Sequence, residues 1–357
     1  MRYSTGMTTS RAQPAKAVTI KEVARETGLS VVTVARALGG YGRISAQTRD
    51  RVCAVARDLG YRPNMFAKGL KGKTTKTLGL MIANVCNPFF SIIVRAVEDV
   101  SSSNGFSVIV CNIDEEREKE QKYLELLRDK RIDGLLVCSS FTSRKEMHRD
   151  VARLYEKEIP TVFIDRRVDG LTCPAIQTDS IAGSTLAVNH LVKLGHKRIG
   201  LLSHAANVDT IQNRTNGFLQ ALRDNGVEPN PEYVAAHNSK TTADGYETAK
   251  RVLALRKRPT ALMTTNSLVT FGALTAIRES GLRIPDDIAF IGWDEFDLAA
   301  AMGVTVVTQP VYTIGSIAAT KLLDILKGTG SKESVILSPE LLVRESCGAG
   351  LGQRNFS

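Results

Sequence analysis

The chain has 357 residues, of which 43% are apolar and 24% are charged. This length allows two or three domains with substantial cores, and the composition excludes a largely disordered protein. No stretch approaches the roughly 18 uncharged apolar residues of a membrane span, and residues 1–17 lack the apolar segment of a signal peptide, so we expect a cytoplasmic protein.

The positive charge is concentrated at one end of the chain. Residues 1–76 hold 15 Lys and Arg against 4 Asp and Glu, a net charge of +11, and the remaining residues have a net charge of −1. A small basic module beside a nearly neutral body is typical of a protein that binds a polyanion, most often nucleic acid. Residues 1–17 are predicted to be a disordered, solvated extension.

The basic segment is predicted to contain three short helices. Thr19 begins a capping box, so a first helix starts there, and Gly28 is placed to end it in a left-handed turn. Ser30 is the predicted N-cap of a second helix that begins at Val31, although the run of four β-branched residues alone favours a strand. A third helix is predicted at about 46–59. A short glycine-containing link between the first two helices is typical of a helix-turn-helix.

The second helix is predicted to have a buried face and a free face. At 100° per residue, Val34 and Leu38 fall on the core face, while Val32 and Arg36 fall on the opposite one. In a helix-turn-helix the second helix enters the major groove, where Arg36 can donate two hydrogen bonds to a guanine edge. We predict that Val31 and Val32 contact thymine methyl groups.

Three consecutive motifs resemble the lac repressor and purine repressor family of bacterial transcription regulators. They are VTIKEVARETGLSVVTVARAL, RISAQTRDRVCAVARDLGYRPN and AKGLKGKTTKTLGLMIANVCNPFF. The resemblance places Val31, Val32 and Arg36 at the family's base-reading positions. Two residues depart from the family pattern, because Ala35 stands where a serine is usual and Gly39 where an asparagine is usual.

Residues 63–76 are predicted to be a hinge helix and linker. Pro63 suits a first helical turn, but isolated helices below roughly 12 residues are marginal, so we expect this one to order on DNA and against a second copy of itself. The resemblance implies that Leu70 inserts into the minor groove as a wedge. The predicted DNA-binding residues are Thr19, Ser30, Val31, Val32, Thr33, Arg36, Asn64, Ala67, Lys68, Leu70 and Lys71.

From residue 77 onward, apolar runs alternate with helical segments. Seven runs are typical of buried strands: TLGLMIAN, FSVIVCN, DGLLVCS, TVFIDR, RIGLLS, ALMTTN and IAFIGWD. This pattern predicts parallel sheets covered by helices. The resemblance implies two similar subdomains that close on a small molecule, as periplasmic sugar-binding proteins do.

The predicted fold class is therefore an N-terminal all-α helix-turn-helix module plus an α/β periplasmic-binding-protein-like body of two parallel-sheet subdomains. The predicted boundaries are an extension at 1–17, a helix-turn-helix domain at 18–62, the hinge and linker at 63–76, an effector-binding and dimerisation domain at 77–345, and a tail at 346–357. Within the body, the first subdomain covers about 77–177 and 309–345, and the second about 178–308.

Polar and aromatic side chains follow the predicted strands, which is where ligands bind in parallel sheets. Such groups bind the hydroxyls and the ring faces of sugars. The resemblance places Asp165, Arg214, Asn266 and Asp294 at ligand-contacting positions. The predicted effector-binding residues are Asn87, Phe89, Phe90, Asp165, Arg166, Arg214, Lys240, Asn266, Trp293, Asp294 and Gln309.

Lys240 stands where several members of the resembling family have an aromatic ring. Together with Arg214 it gives the predicted cleft two cations, and two cations indicate an anionic ligand. The motifs TTNSLVTFGAL and WDEFDLAAAMGVTVVTQPVYTIG also resemble the branch of the family that senses sugar acids. We predict a six-carbon sugar acid such as gluconate or a ketogluconate, with a neutral sugar or a nucleoside as the alternative.

These features predict a homodimeric transcription regulator, and a repressor of sugar or sugar-acid utilisation genes in particular. Its predicted partners are double-stranded, near-palindromic operator DNA, the small-molecule effector and a second copy of the chain, with no membrane. The sequence leaves open whether the effector releases or strengthens DNA binding, and the resemblance favours release. The final residues lack the leucine heptads of a tetramerisation helix.

The alternatives are an enzyme and a transport binding protein. No catalytic residue, metal site or cofactor is predicted, because the sequence has no phosphate loop and no GxGxxG motif, and its six cysteines have no CxxC or CxxH spacing. We expect the cysteines to be reduced apolar filler. A transport protein would need a signal peptide where this chain has a basic helix-turn-helix.

Overall fold

The computed structural model describes residues 18–39, 41–61, 74–204 and 208–350. They form two compact units, which divide between Thr75 and Lys76. The first unit is helical and the second is built of parallel-rich sheets and helices, which confirms the predicted fold class. Outside the described residues lie the predicted extension 1–17 and the hinge residues Asn64, Ala67, Lys68, Leu70 and Lys71.

The described part of the first unit folds around one small apolar core. Its helices are α1 (Ile20–Thr27), α2 (Val31–Gly39) and α3 (Ala46–Asp58). Every helix contributes two buried side chains to this core, which are Val23, Ala24, Val34, Ala37, Val52 and Ala56. The core face of α2 is therefore the one that the helical periodicity indicates.

Local hydrogen bonds cap the start of α1, its end and the start of α2. The Glu22 carboxylate accepts hydrogen bonds from the Thr19 N–H at 2.6 Å and from the Thr19 hydroxyl at 3.0 Å. α1 ends at Gly28, whose φ of 66° is a left-handed conformation that glycine adopts readily. Ser30 Oγ then accepts from the Thr33 N–H at 3.1 Å and caps α2. These caps and the shared core override the strand propensity of the valine-rich run.

The described part of the second unit contains two six-stranded sheets. In chain order the strands are β1 (Thr77–Ile82), β2 (Ser107–Asn112), β3 (Gly134–Val137), β4 (Thr161–Ile164), β5 (Ala175–Thr178), β6 (Ile199–His204), β7 (Val234–His237), β8 (Ala261–Thr264), β9 (Ala289–Trp293), β10 (Thr305–Thr308), β11 (Val335–Leu337) and β12 (Glu340–Leu342). The strand orders are β11-β5-β4-β3-β1-β2 and β12-β10-β9-β8-β6-β7. All pairings are parallel except that of β10 with β12.

Helices cover both faces of each sheet. They are α4 (Pro88–Ser103), α5 (Arg117–Asp129), α6 (Arg149–Arg153), α7 (Ser180–Lys193), α8 (Asp209–Asp224), α9 (Ala243–Leu253), α10 (Ser267–Glu279), α11 (Asp297–Ala301) and α12 (Val311–Lys327), with a π-helical turn at Leu154–Glu158 and 3-10 turns at Arg144–Glu146, Pro231–Tyr233 and Glu345–Cys347. Along β1, Leu80 packs into one apolar cluster and Met81 into the cluster on the other face. Among the described helices, none is both long enough and apolar enough to cross a bilayer.

The chain passes between the two sheets three times, after β5, after β10 and between β11 and β12. The third passage places residues 340–342 antiparallel to β10 in the second sheet. The structure therefore differs from the prediction that all of 309–345 belongs to the first subdomain. The two strands involved have three residues each, which is too short for a periodic signal.

The predicted tail also begins inside the second subdomain. Cys347 has no exposed surface, and Ser346 Oγ donates to the Phe290 carbonyl at 2.6 Å. The Thr305 N–H in turn donates to Ser346 Oγ at 2.8 Å. A boundary at 346 is therefore wrong for these residues, because they complete the core beside β9 and β10.

Candidate functional site

The free face of α2 carries an apolar pair beside an arginine. Val31 is 40% exposed, Val32 is 56% exposed, and Arg36 is also exposed. The two neighbouring methyl-bearing side chains and the guanidinium group offer the contacts that thymine methyls and guanine edges accept in the major groove. The helix thus presents to solvent the three side chains that the sequence assigned to base reading.

The other described candidates for DNA contact lie at helix N-termini. Thr19 precedes α1 and Ser30 precedes α2, and both are exposed. Thr33 lies in the first turn of α2, with its hydroxyl 2.9 Å from that of Ser30. Free N–H groups and the positive end of the helix dipole favour phosphate at such positions.

The body contains a cavity between its two subdomains. The space leaves about 40 Å³ for the centres of water-sized molecules, within about 570 Å³ of empty volume that includes the open solvent at its mouth. Its walls are formed by loops that follow strands and by the first turns of helices from both subdomains. The lining brings together most of the predicted effector-binding residues, namely Asn87, Phe89, Phe90, Asp165, Arg166, Arg214, Lys240, Asn266, Asp294 and Gln309.

Trp293 is the predicted effector-binding residue that does not line this cavity. It has no exposed surface, and its ring lies 4.2 Å beneath the guanidinium group of Arg214. Arg214 Nη1 also donates to the Thr265 carbonyl at 2.6 Å. The tryptophan therefore supports the arginine through a cation–π contact.

Asn87 and the two phenylalanines after it are held by the start of α4. Asn87 Oδ1 accepts from the Phe89 N–H at 3.0 Å and caps the helix, with Pro88 in its first turn. Phe89 and Phe90 pack edge to face at 5.1 Å and are almost fully buried, so only small parts of their rings reach the cavity. From the second subdomain, Ser267 Oγ donates to Asn87 Oδ1 at 2.8 Å.

Each subdomain contributes one buried carboxylate at the end of a strand. Asp165 follows β4 and Asp294 follows β9, and each is less than one-tenth exposed. Burial raises the pKa of Asp165 to about 6, against the opposing charges of Arg214 and Arg166. Burial likewise raises the pKa of Asp294, against the charge of Arg214 and a 2.6 Å hydrogen bond from Gln309.

A buried ion pair joins Arg166 to Glu115, a residue that sequence reasoning missed. Arg166 Nη2 lies 2.6 Å from Glu115 Oε1, and the two side chains are 6% and 14% exposed. Burial acts to raise the pKa of Glu115, but the charges of Arg166 and His204 outweigh it, so the pKa is lowered. Glu115 is therefore an ionised partner that neutralises Arg166.

Lys240 connects the two subdomains. Its Nζ donates to the carbonyl oxygens of Asp114 at 3.2 Å and Glu115 at 3.3 Å, across the cleft. Its own carbonyl accepts from Asn84 Nδ2 at 3.1 Å. The ammonium group of Lys240, which the sequence analysis predicts to bind the ligand, thus donates to the backbone of the first subdomain.

Seven further residues of the lining were not found from the sequence: Asn84, Glu115, His204, Thr210, Ile211, Asp244 and Leu268. Asn84 and Glu115 follow β1 and β2 closely, so the strand-end argument that selected Asp165 would have found them too. Thr210, Ile211 and Leu268 lie in first helical turns, which carry no comparable signal. Within the described residues, no group of three His, Cys, Asp or Glu side chains is arranged to hold a metal ion.

Most of the chain is similar to proteins of known class. Residues 19–64 match the family described as bacterial regulatory proteins, lacI family, and residues 75–345 match periplasmic binding proteins and sugar binding domain of LacI family. The HTH-type transcriptional regulator RegA of Clostridium saccharobutylicum is 32% identical over 92% of this chain and 99% of its own. The HTH-type transcriptional repressor PurR of Mannheimia succiniciproducens is 34% identical over 92% of this chain and 98% of its own.

Two solved structures extend the likeness across nearly the whole chain. The lac repressor dimer bound to operator and the anti-inducer ONPF has a TM-score of 0.81 at 27% identity, covering 93% of this chain and 99% of that one. The transcriptional regulator CelR in complex with cellobiose has a TM-score of 0.67 at 25% identity, covering 92% of this chain and 99% of that one.

Proposed function

Because this chain belongs to the lacI family of bacterial regulatory proteins and is a DNA-binding transcriptional regulator, we propose that it is a repressor whose operator affinity depends on a small ligand in the interdomain cavity. Val31, Val32 and Arg36 read the operator in the major groove. The operator is near-palindromic, because a homodimer presents two copies of α2. The hinge residues, with Leu70 as the minor-groove wedge, remain predictions from the sequence.

The ligand that the chemistry of the cavity lining suits best is a small polyhydroxylated molecule. The observation that carries this proposal is the convergence of Asp165 and Asp294, one from each subdomain, on a cavity that also contains Arg214. Buried carboxylates accept hydrogen bonds from hydroxyl groups, and a guanidinium group donates to hydroxyl or ring oxygens. A ligand that bridges the carboxylates binds both subdomains at once.

The lining favours a neutral sugar or polyol over the sugar acid that the sequence suggested. Of the two cations that indicate an acid, Arg214 and Lys240, the ammonium group of Lys240 already donates to two carbonyls. Among the described residues, three cationic side chains line the cavity, and so do four carboxylates: Glu115, Asp165, Asp244 and Asp294. Binding would move a ligand carboxylate out of water and place it beside four groups of the same charge, which is unfavourable.

A sugar acid is the second candidate, and one observation favours it. The Nε atoms of Arg166 and Arg214 are buried and have no hydrogen-bond partner within the described residues. A ligand oxygen can satisfy either donor, and a carboxylate would form the stronger hydrogen bond. Direct comparison of matched ligands separates the two classes.

Ligand binding is coupled to DNA binding through the arrangement of the subdomains. The contacts of Lys240 with Asp114 and Glu115, and of Ser267 with Asn87, cross the cleft beside the cavity. A ligand that binds one arrangement more tightly shifts the balance between arrangements, and such coupling is typically about 1 to 3 kcal/mol. We propose that the ligand releases the operator.

The test compares matched neutral and acidic ligands. The full-length protein is titrated by calorimetry with D-glucose and D-glucuronate, and with D-sorbitol and D-gluconate, within a wider set of pentoses, hexoses and disaccharides. Operator affinity is then measured by fluorescence anisotropy at fixed salt with and without each binder. Saturation by a neutral sugar that weakens operator binding supports the proposal. Binding by acids alone supports the second candidate, and a binder without effect on operator affinity contradicts the gating.

A further inference from the structure

We propose that Glu115 determines the charge preference of the cavity by holding its carboxylate against Nη2 of Arg166, so that a ligand carboxylate cannot form a two-point ion pair with that guanidinium group. The inference rests on the proposed function, because it concerns the ligand of the same cavity. Glu115 is not among the predicted effector-binding residues, yet it distinguishes neutral from acidic ligands.

Both terminal nitrogens of the Arg166 guanidinium group donate to protein acceptors. Nη2 pairs with Glu115 at 2.6 Å, and Nη1 donates to the Ser139 carbonyl at 3.4 Å. Nε lies 3.7 Å from Asp165 Oδ2, beyond hydrogen-bond distance. The arginine is 5% exposed, so its charge is compensated by Glu115 and Asp165 in a site with little water.

The backbone of Glu115 is fixed from both subdomains. Asp114 and Glu115 have φ values of 52° and 56°, which non-glycine residues adopt only when their surroundings hold them there. The Glu115 N–H donates to the Ala83 carbonyl at 3.1 Å, and the Glu115 carbonyl accepts from Lys240. Its carboxylate is therefore a built part of the cavity wall.

This arrangement distinguishes ligands by charge. A hydroxyl group placed beside the pair can donate to Glu115 and accept from Arg166, so a neutral ligand uses both members. A ligand carboxylate at the same place would meet Glu115 as a like charge and would have to displace it to reach the arginine. Glu115 thus favours the neutral member of each matched ligand pair.

The test substitutes Glu115→Gln, which keeps the shape of the side chain and removes its charge. Glu118→Gln is the matched control, because Glu118 is exposed at the start of α5 and does not line the cavity. Calorimetry with D-glucose against D-glucuronate, and D-sorbitol against D-gluconate, measures the acid-to-neutral affinity ratio. We expect E115Q to raise this ratio about tenfold over the wild type and E118Q to leave it unchanged. An unchanged ratio in folded E115Q, or a wild type that already prefers the acids, overturns the inference.

If none of these sugars binds, that result counts against the proposed function alone. A second measurement then still tests the role of Glu115. Acetate is titrated against the thermal midpoint of the wild type, E115Q and the double variant E115Q/R166Q. The inference requires acetate to stabilise E115Q more than the other two, because only E115Q keeps the guanidinium group while removing the carboxylate that occupies its Nη2. Equal acetate effects in all three proteins overturn it. Circular dichroism and operator binding confirm that each variant is folded.

Discussion

Asp165 and Asp294 occupy equivalent positions in the two sheets. Each directly follows the third strand of its sheet as counted from the C-terminal strand at the edge, and each is left-handed, with φ values of 66° and 71°. The Asp165 N–H donates to the Ile176 carbonyl, and the Asp294 N–H donates to the Val307 carbonyl, both at 2.8 Å on the neighbouring strand. The repeated fold thus supplies two carboxylates in the same local geometry, one on each side of the cavity.

This equivalence predicts similar effects for Asp165→Asn and Asp294→Asn. Each substitution removes a charged acceptor for a ligand hydroxyl while keeping the size of the side chain, so each should weaken binding of the neutral ligand roughly 10-fold to 100-fold. Calorimetric titration measures the loss. Asp297→Asn is the control, because Asp297 is exposed at the start of α11, and the affinity of this variant should match the wild type. Loss in only one of the two variants would mean that the ligand depends on only one of the two carboxylates.

The raised pKa of Asp165 predicts a pH-dependent stability of the body. Its pKa in the folded protein is about 6, above the ordinary value of 3.8, because burial disfavours the charged form. Between about pH 6 and pH 4 the folded state therefore binds more protons at this site than the unfolded state, and the free energy of unfolding rises as the pH falls. The side-chain amide of the Asp165→Asn variant cannot titrate. Urea denaturation at pH 7, 6 and 5 should show the wild type gaining stability relative to D165N as the pH is lowered. A constant difference in the free energy of unfolding between the wild type and D165N across this pH range would contradict the raised pKa of Asp165.

The sequence predicted the elements whose signals are local and strong. The caps at Thr19 and Ser30 and the long apolar strands were recognisable because each depends on a few neighbouring residues. The strand-end rule also identified Asp165 and Asp294 as candidates, since parallel strands carry their loops to the same edge.

The rest depends on contacts between distant segments. The pair of Glu115 with Arg166 joins residues 51 positions apart, and the hydrogen bonds of Lys240 reach 125 and 126 positions along the chain. No local pattern shows that a lysine donates to backbone and not to a ligand. The position of Trp293 beneath Arg214 was equally unpredictable from local sequence. A tryptophan at the end of a strand looks the same in the sequence whether its ring is buried or lines a cavity.

Lys240→Met tests the contact across the cleft. The substitution removes the hydrogen bonds to the Asp114 and Glu115 carbonyls but keeps a side chain of similar length. We expect the arrangement with direct contact between the subdomains to become less stable and the ligand affinity to fall about tenfold. Lys122→Met is the control, because Lys122 is exposed on α5. Small-angle scattering of the ligand-free body should show a larger radius of gyration for K240M alone. An unchanged radius with unchanged affinity would show that the lysine does not hold the subdomains together.

Val32→Gln tests the reading of DNA by the free face of α2. Val32 lies outside the core, so the substitution should change the thermal midpoint of the first unit little, whereas it replaces a methyl surface with an amide that prefers adenine edges. We expect the preferred operator to change at the base pair that Val32 contacts, with a cost of about 1 to 3 kcal/mol for the original sequence. Selection from a randomised operator library, followed by anisotropy at fixed salt, measures both effects.

Val34→Ala provides the contrast, because Val34 is fully buried and its truncation should cost about 2 kcal/mol of stability without altering the preferred sequence. If V32Q selected the same operator as the wild type, the exposed valines would not read bases.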